Sequence, residues 1–367
     1  MGADREQAYE IHWLEEIEQL ERELIEQLAG RPALLVTTPT VAELYAAPLV
    51  GRLAGRADVQ LEVMALTEKT KTLASVETLC RRVRSQALGR SSVLIGFGGG
   101  VCMDVVTTAA SLVRRGITHF RVPTTLLGQV DAGVGCKGGV NFEGAKNYLG
   151  CFYPAEHVFL CPRLLPTLAP RYLTAGLAEV LKVAIASDAQ LFRSLEEHGA
   201  ELLADRFETR PALTKSILWR SVQRLLDDLE PNLFEDRTLV RRLDFGHTFS
   251  PQLEARSKYG LTHGEAVAID MAFTTVLARE LGRLSDADES RLLEVFARLG
   301  LPVAHELLTL ELVTSALREA TRHRGGALNL FLPTAIGSSE CLHDGAALTP
   351  SVLEGALSRL TTLTRGA

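Results

Sequence analysis

Several features common in other chains are missing from this one. The six cysteines never fall in a CxxC pair, the spacing behind many redox and zinc-ribbon motifs. They sit instead in apolar or glycine-rich runs, which points to reduced thiols rather than a disulfide frame. No apolar run reaches the roughly 20 residues that cross a bilayer. The opening MGADREQAYE is acidic and polar, unlike a secretory leader. Basic charge is not in surplus: 39 Lys and Arg stand against 45 Asp and Glu, for a net charge of -6. The basic residues are scattered, so they leave no electrostatic footprint for nucleic acid. Internal repeats and low-complexity tracts are absent too. The expectation is a cytoplasmic protein with no nucleic-acid or membrane partner. A small anionic ligand stays open, because a local pocket can be basic on an acidic chain.

What is present suits a globular enzyme. The 367 residues are 46% hydrophobic and 23% charged, and that length favours two domains. Residues 4–30 carry Ile and Leu at helical spacing and end at Gly30 and Pro32, which predicts one amphipathic helix. Ala33 to Thr38, Val59 to Leu66, Ser92 to Phe97 and His119 to Pro123 read as buried strands, with helical patterns between the first three and again after Phe97. Strands alternating with helices imply a parallel, doubly wound sheet. From about residue 166 helical patterns dominate, at 171–187, 189–204, 211–229, 247–257, 263–282, 286–299 and 309–322. Residues 328–333 read as an isolated strand. The boundary is therefore expected near 165, with an α/β domain over 1–165 and a helical domain over 166–367.

Two stretches stand out chemically. The strand ending at Phe97 runs into Gly98, Gly99 and Gly100, with a helix expected from near Asp104. Glycines let backbone amides approach a pyrophosphate, and a helix start favours its charge, although GFGGGVCMD is not the GxGxxG fingerprint. After Thr124 and Thr125 comes GQVDAGVGCKGGVNFEGAKNYLG, too polar and glycine-rich for core and read as a loop carrying function. Further on, His247 and His263 each look like the first residue of a helix. Neutral imidazole is a common zinc ligand, and Glu179 upstream completes a two-histidine, one-carboxylate set. Lys182 follows Glu179 by one helical turn in the apolar setting GLAEVLKVAI. His12, His119, His157, His198, His305 and His343 show no constellation and read as structural.

GGGVCMD, RRG, VPTTLLGQVDAGVGCKGGVN, AKNYLG, LTAGLAEVLK, DFGHT and HGEAVAIDMA occur in this order. The chain thereby resembles the sugar phosphate cyclase superfamily, whose best-known member is 3-dehydroquinate synthase. DFGHTFSP, HGEAVAIDMA and RGGALNLFLPTAIG look most like the sedoheptulose 7-phosphate cyclases of the valiolone type. The resemblance implies a Rossmann-like parallel-sheet domain followed by a mainly α-helical one, NAD and zinc (or cobalt) as cofactors, and a homodimer. It implies Glu179, His247 and His263 as zinc ligands. Gly98, Gly99, Gly100, Asp104, Thr124 and Thr125 match NAD-binding positions, Glu68 and Lys71 the pair at the adenosine ribose, and Lys146 a position near the nicotinamide. Asp131, Lys137, Lys146, Asn147 and Lys182 match substrate and catalytic positions. Arg115 matches an arginine that reaches the phosphate across the dimer.

Departures narrow the substrate. Dehydroquinate synthases carry a histidine four residues after the first zinc histidine, where this chain has Pro251, and an asparagine three before it, where this chain has Asp244. Their nearby arginine finds only Arg241 or Arg242 as a stand-in. These are groups that handle the substrate's carboxylate and hydroxyls, so a carboxylate-bearing heptulosonate is disfavoured. Asp244 with His323 resembles the valiolone-type enzymes. The implied reaction on sedoheptulose 7-phosphate is transient oxidation at C5, β-elimination of the C7 phosphate, return of hydride to C5 and aldol closure onto the C2 ketone. A polyol dehydrogenase of the same architecture would need no lysine-bearing loop, and a non-catalytic relative should have lost a zinc ligand. Two valiolone stereoisomers stay open as products at this point.

Overall fold

Leu34 and Val36 face one side of their strand, Ala33 and Leu35 the other, and all four are buried. A strand apolar on both faces belongs inside a sheet covered on both sides. The computed structural model describes residues 9–323 and 326–365, and it divides into two units, one ending at Leu168 and the other beginning at Ala169. The first unit runs β1 (Glu10–Trp13), α1 (Ile17–Leu28), β2 (Ala33–Thr37), α2 (Pro39–Val41), α3 (Ala47–Leu53), β3 (Val59–Val63), α4 (Leu73–Ser85), β4 (Val93–Gly98), α5 (Gly100–Leu112), β5 (His119–Pro123), β6 (Lys137–Phe142), β7 (Ala145–Phe152) and β8 (His157–Leu160). Six strands form one parallel sheet in the order β1-β8-β5-β4-β2-β3. Ala33, Leu35, Ile95 and Phe120 pack with α1 and α3 on one face, and Leu34, Val36 and Leu94 with α4 and α5 on the other. The chain order reverses between β2 and β4, so the turn leaving β4 sits at the switch point where such sheets take ligands.

Three expectations for this unit are corrected. Residues 4–30 do not form one helix: Glu10–Trp13 is an edge strand paired with β8, and the helix starts at Ile17. Pairing to a distant strand overrides the local helical spacing there. The helix after the glycine turn begins at Gly100 rather than near Asp104. The glycine-rich segment is not a loop throughout: Gly128–Ala132 is a helical turn, and from Lys137 on the chain forms the hairpin β6–β7, closed by Glu143 and Gly144, both at positive φ as a type I′ turn requires. Its glycines serve packing. A Cβ on Gly138 would stand 2.8 Å from Thr107 of α5, and one on Gly150 would strike the Gly138 carbonyl.

The second unit holds α6 (Pro170–Ser187), α7 (Ala189–Ala204), α8 (Pro211–Leu229), α9 (Ser250–Arg256), α10 (His263–Glu280), α11 (Asp286–Arg298), α12 (Leu310–His323), β9 (Leu330–Ala335), β10 (Ser338–Leu342) and α13 (Pro350–Arg365). The strand expected alone pairs with β10 as an antiparallel hairpin. The stretch expected to be helical from 247 is helical only from Ser250, because Pro251 sits in the first turn and Gly246 turns the chain before it. α6 and α10 are buried almost all round and form the middle of this unit. Gly264 makes their contact possible: a Cβ there would lie 1.8 Å from the Ala175 carbonyl. All six cysteines are free thiols. Among the described residues, no helix is long and apolar enough to cross a membrane.

Asp188 fastens the start of α7. It accepts from the Gln190 and Leu191 amides at 3.0 and 2.9 Å and from Arg220 and Arg224 of α8 at 2.7 and 2.9 Å. Burial pushes its carboxyl up, but the two guanidinium groups and the Leu191 amide outweigh that and bring it down to about 2. Losing both a cap and a partly buried ion pair, Asp188→Ala should cost about 3 kcal/mol at neutral pH, read from urea midpoints. A depressed carboxyl stabilises above its unfolded value, so the deficit should shrink as pH falls from about 4 towards about 2.

Candidate functional site

Ala175 and Glu179 lie one turn apart on the same face of α6. The close approach at Gly264 therefore brings the first residue of α10, His263, to Glu179. Thr262 caps α10 in a capping box with Glu265, which also takes Arg171 of α6 at 2.6 Å. His247 arrives from the turn before α9. A Cβ on Gly246 would meet Met271 at 2.8 Å, and Asp270 of α10 accepts the Phe249 and Ser250 amides at 2.5 and 2.8 Å. That turn is thus pinned on both sides of His247. Burial pushes the fully enclosed Asp270 carboxyl up to about 6, against the amides and Thr274 that stabilise its charge.

The result is a compact donor set. His263 Nε2 lies 3.1 Å and His247 Nε2 4.0 Å from Glu179 Oε1, while Lys182 Nζ lies 2.6 Å from Glu179 Oε2. The three ligand-type atoms fall within 4.8 Å of one another. Glu179 is 1% exposed, and burial alone would raise its carboxyl. Lys182, with His263 and His247, instead holds it well below the usual carboxylate range. The outer ring nitrogens are also engaged: His263 Nδ1 meets Glu254 Oε1 at 2.9 Å and His247 Nδ1 the Phe245 carbonyl at 3.2 Å. With Nδ1–H donating outward, each Nε2 presents a lone pair inward. Two imidazoles and an anionic carboxylate suit a zinc-class ion.

In the first unit, Gly98, Gly99, Gly100, Thr124 and Thr125 come together at the carboxyl end of β4. The Thr124 amide donates to the Gly98 carbonyl at 2.9 Å, and a Cβ on Gly99 would stand 3.0 Å from Thr125. This bare turn opens the thirteen-residue α5, as a pyrophosphate cradle requires. Beside it, Lys71 is buried and donates to Asp104 at 2.9 Å and to Asn147 at 2.6 Å, with Glu68 at 3.2 Å. Lys137 stands exposed on β6 with its ammonium over Phe152, Lys146 is half-buried on β7, and Asp131 half-buried in the preceding turn. Arg115 is exposed in the short turn that follows α5, at positive φ. Asp244 takes Arg241 at 3.0 Å, and Arg241 also pairs with Glu235. His323 ends α12, and its side chain lies outside the described residues.

Sequence reasoning passed over Glu254, Asp270, Asn141 and Arg121. Glu254 lies on α9 and meets His263 rather than His247, so its spacing along the chain gave no signal. Asn141 bonds Glu68 at 3.0 Å and accepts the Asn147 amide at 2.9 Å. Arg121 is fully buried on β5 and donates to Thr107 at 2.8 Å and to the Lys137 carbonyl at 3.0 Å, tying the hairpin's base to the sheet. Nothing in the local sequence HFRVP marks it.

A parallel sheet with a glycine turn at its switch point, joined to a helical unit built around a carboxylate and two histidines, defines a class of α/β enzymes with a metal-type centre. Within that class the chain belongs to the 3-dehydroquinate synthase family. Residues 62–175 match the family's N-terminal description and 176–323 its C-terminal one. A 2-epi-5-epi-valiolone synthase from Actinomyces sp is 42% identical, over 90% of this chain and 88% of that protein. A 2-epi-valiolone synthase from Actinosynnema mirum is 34% identical, over 97% and 93%. The solved structure of ValA, a 2-epi-5-epi-valiolone synthase from Streptomyces hygroscopicus subsp. jinggangensis with NAD+ and Zn2+ bound, superimposes with a TM-score of 0.92. It is 38% identical, with 99% of each chain covered.

Because Glu254 fixes the ring of His263, Glu254→Ala should weaken zinc binding about 10- to 100-fold without removing a ligand. Competition with a chromophoric chelator measures this, and wild-type affinity in the variant would rule the role out.

Proposed function

We propose that this protein is a sedoheptulose 7-phosphate cyclase that forms 2-epi-5-epi-valiolone. What carries the reading is the coexistence of a complete Glu179–His247–His263 set with a hairpin bearing Lys137, Lys146 and Asn147. A dehydrogenase needs a nucleotide cradle and a metal but no such hairpin. The names of relatives about 40% identical over most of the chain support the product.

Glu179, His247 and His263 would hold the zinc-class ion. Gly98 to Gly100, Thr124 and Thr125 would hold NAD, with Glu68, Lys71 and Asp104 at its ribose side and Lys146 near the nicotinamide. Bound there, NAD supplies a hydride acceptor within each turnover, and zinc, or cobalt in its place, supplies Lewis acidity. The chain's own groups do the rest. Lys137, Lys182 and Asn147 donate to the oxyanion and to the departing phosphate. Arg115 is assigned to the phosphate of the other subunit of a homodimer, and the enzyme to the cytoplasm. Lys71 orients Asn147 through the 2.6 Å bond and so acts by positioning. Asp131, Asp244 and His323 are assigned to substrate hydroxyls.

Asp244 and Glu235 already neutralise Arg241, the candidate stand-in for the dehydroquinate synthase arginine. A substrate carboxylate would meet Asp244 with no spare cationic donor from Arg241, and Pro251 supplies none. Turnover of 3-deoxy-arabino-heptulosonate 7-phosphate should therefore be far slower than that of sedoheptulose 7-phosphate. Asp244→Asn should relax the preference without reversing it, and comparable rates in the wild type would refute the assignment.

The cofactor reading has its own test. With sedoheptulose 7-phosphate, zinc and catalytic NAD, phosphate should appear over many turnovers while absorbance of reduced nicotinamide stays flat. Reduced cofactor rising in step with phosphate would return the dehydrogenase reading. NMR of the cyclitol decides between the two valiolone isomers. Lys137→Ala should slow phosphate release severely and leave NAD binding largely intact.

A further inference from the structure

His12 and His157, which the sequence leaves as isolated structural histidines, meet at the edge of the sheet. β1 and β8 run parallel in a register that sets Glu10 beside His157, and His12 lies two residues beyond Glu10 on the same face. His12 Nε2 and His157 Nδ1 are 3.0 Å apart, and one carboxylate oxygen, Glu10 Oε2, lies 3.6 Å from each. We propose that Glu10, His12 and His157 form a second divalent-metal site, of the zinc class, separate from Glu179, His247 and His263.

Three observations carry this. The first is size. A tetrahedral zinc ion with bonds of about 2.05 Å separates its ligand atoms by about 3.3 Å. Edges of 3.0, 3.6 and 3.6 Å bracket that value, and this triangle is more regular than the one at Glu179, where the two imidazole nitrogens lie 3.1 and 4.0 Å from Oε1. The second is the ring orientation. The nitrogen of each imidazole that faces away has a carboxylate near it: His12 Nδ1 has Glu23 Oε2 at 3.8 Å, and His157 Nε2 has Glu156 Oε1 at 3.6 Å. Neither is within hydrogen-bond range, and Glu156 is itself held by Arg31 at 2.9 and 3.2 Å, so these carboxylates act on the rings only as nearby negative charge. The third is rigidity. His12 stacks on Phe159 at 4.9 Å and His157 stands edge-on to Phe120 at 4.9 Å, so both rings are held while Glu10, 69% exposed, swings freely enough to close on an ion.

Position sets the role. Glu10 and His157 open their strands, whereas the glycine turn leaves the carboxyl end of β4 in the same parallel sheet. The site is therefore at the far end of the sheet from the nucleotide turn and is not part of the reaction. β1 is an edge strand attached through β8. A metal bridging the two strands would staple it there, and the fourth position would go to water.

The rival is a plain hydrogen bond between two neutral imidazoles, which needs no ion. The test is metal content of the purified full chain after equilibration with zinc and removal of excess, read by mass spectrometry. The wild type should hold about two zinc ions per chain, and His12→Ala about one, with phosphate release from sedoheptulose 7-phosphate retained. His12→Ala keeping the wild-type count, whatever that count is, would overturn the site. If His12→Ala does not fold, Glu10→Gln serves, since that side chain is largely exposed, and an unchanged zinc affinity there overturns the proposal equally. A second reading isolates the site. In a His263→Ala background added zinc should still raise Tm, and His12→Ala should abolish that rise. No rise in the His263→Ala chain would also overturn it. The change in zinc count and the Tm shift do not depend on which reaction is catalysed.

Discussion

A carboxylate is sealed inside the helical unit, and much else there answers to it. Taking Glu179 out of water costs several kcal/mol unless opposite charge and donors meet it. Lys182 meets one oxygen and the imidazoles the other, on elements that would not otherwise need to converge. To bring them there, α10 must touch α6 backbone to side, which Gly264 allows, and the chain before α9 must be pinned, which Asp270 and Gly246 do. Each of these is a residue whose replacement damages the site without touching it. The buried Asp270 is the cost of the arrangement: its carboxyl, pushed up to about 6, sits in a poor environment for a charge and is kept there by the two amides it orders.

The α/β half was legible because its strands are buried on both faces. ALLVTT and SVLIGF are apolar runs with no alternation, the signature of a covered parallel sheet. Two strands of the sheet escaped, β8 and β1, the latter four residues whose strand state depends on β8, more than a hundred residues away. Helical spacing in the following Ile17–Leu28 spread backwards over β1. The hairpin β6–β7 was hidden by its glycines, which usually mark loops. Here Gly138 lets β6 lie against α5 and Gly150 lets β7 close on β6, reasons that exist only once those elements are in place.

The candidate site was legible as residue types and order, not as geometry. Glu179, His247 and His263 could be picked out because their surroundings resemble a known set, and the structure brings them within 4.8 Å. Lys182 in an apolar helix announced a buried partner. The residues that hold these in place were not visible, because an aspartate such as Asp270 in AVAIDMA or a glutamate such as Glu254 in SPQLEAR looks the same whether it faces water or a buried group. Lys71 has partners that the sequence did not show. It resembles a ribose contact, yet its ammonium is enclosed by Asp104, Asn147 and Glu68, so its charge is matched within the protein.

The two oxygens of Glu179 have different neighbours, and this division has a consequence. Oε1 faces the imidazoles and is the oxygen available to a metal, while Oε2 is held by Lys182 at 2.6 Å. A ligand bonded in this way fixes the position of its own ammonium partner. Lys182 therefore sits at a set distance from whatever the two histidines bind. A metal ion arriving at Oε1 would draw electron density from the carboxylate and loosen its hold on the ammonium, leaving Lys182 more able to donate to an anionic group nearby. The Glu10 cluster pairs two imidazoles with a carboxylate that is 69% exposed. Similar ligand types thus make two different things. One is a buried centre in which a cation is coupled to the ligand set, suited to handling oxyanions. The other is a wet clip suited to holding strands together.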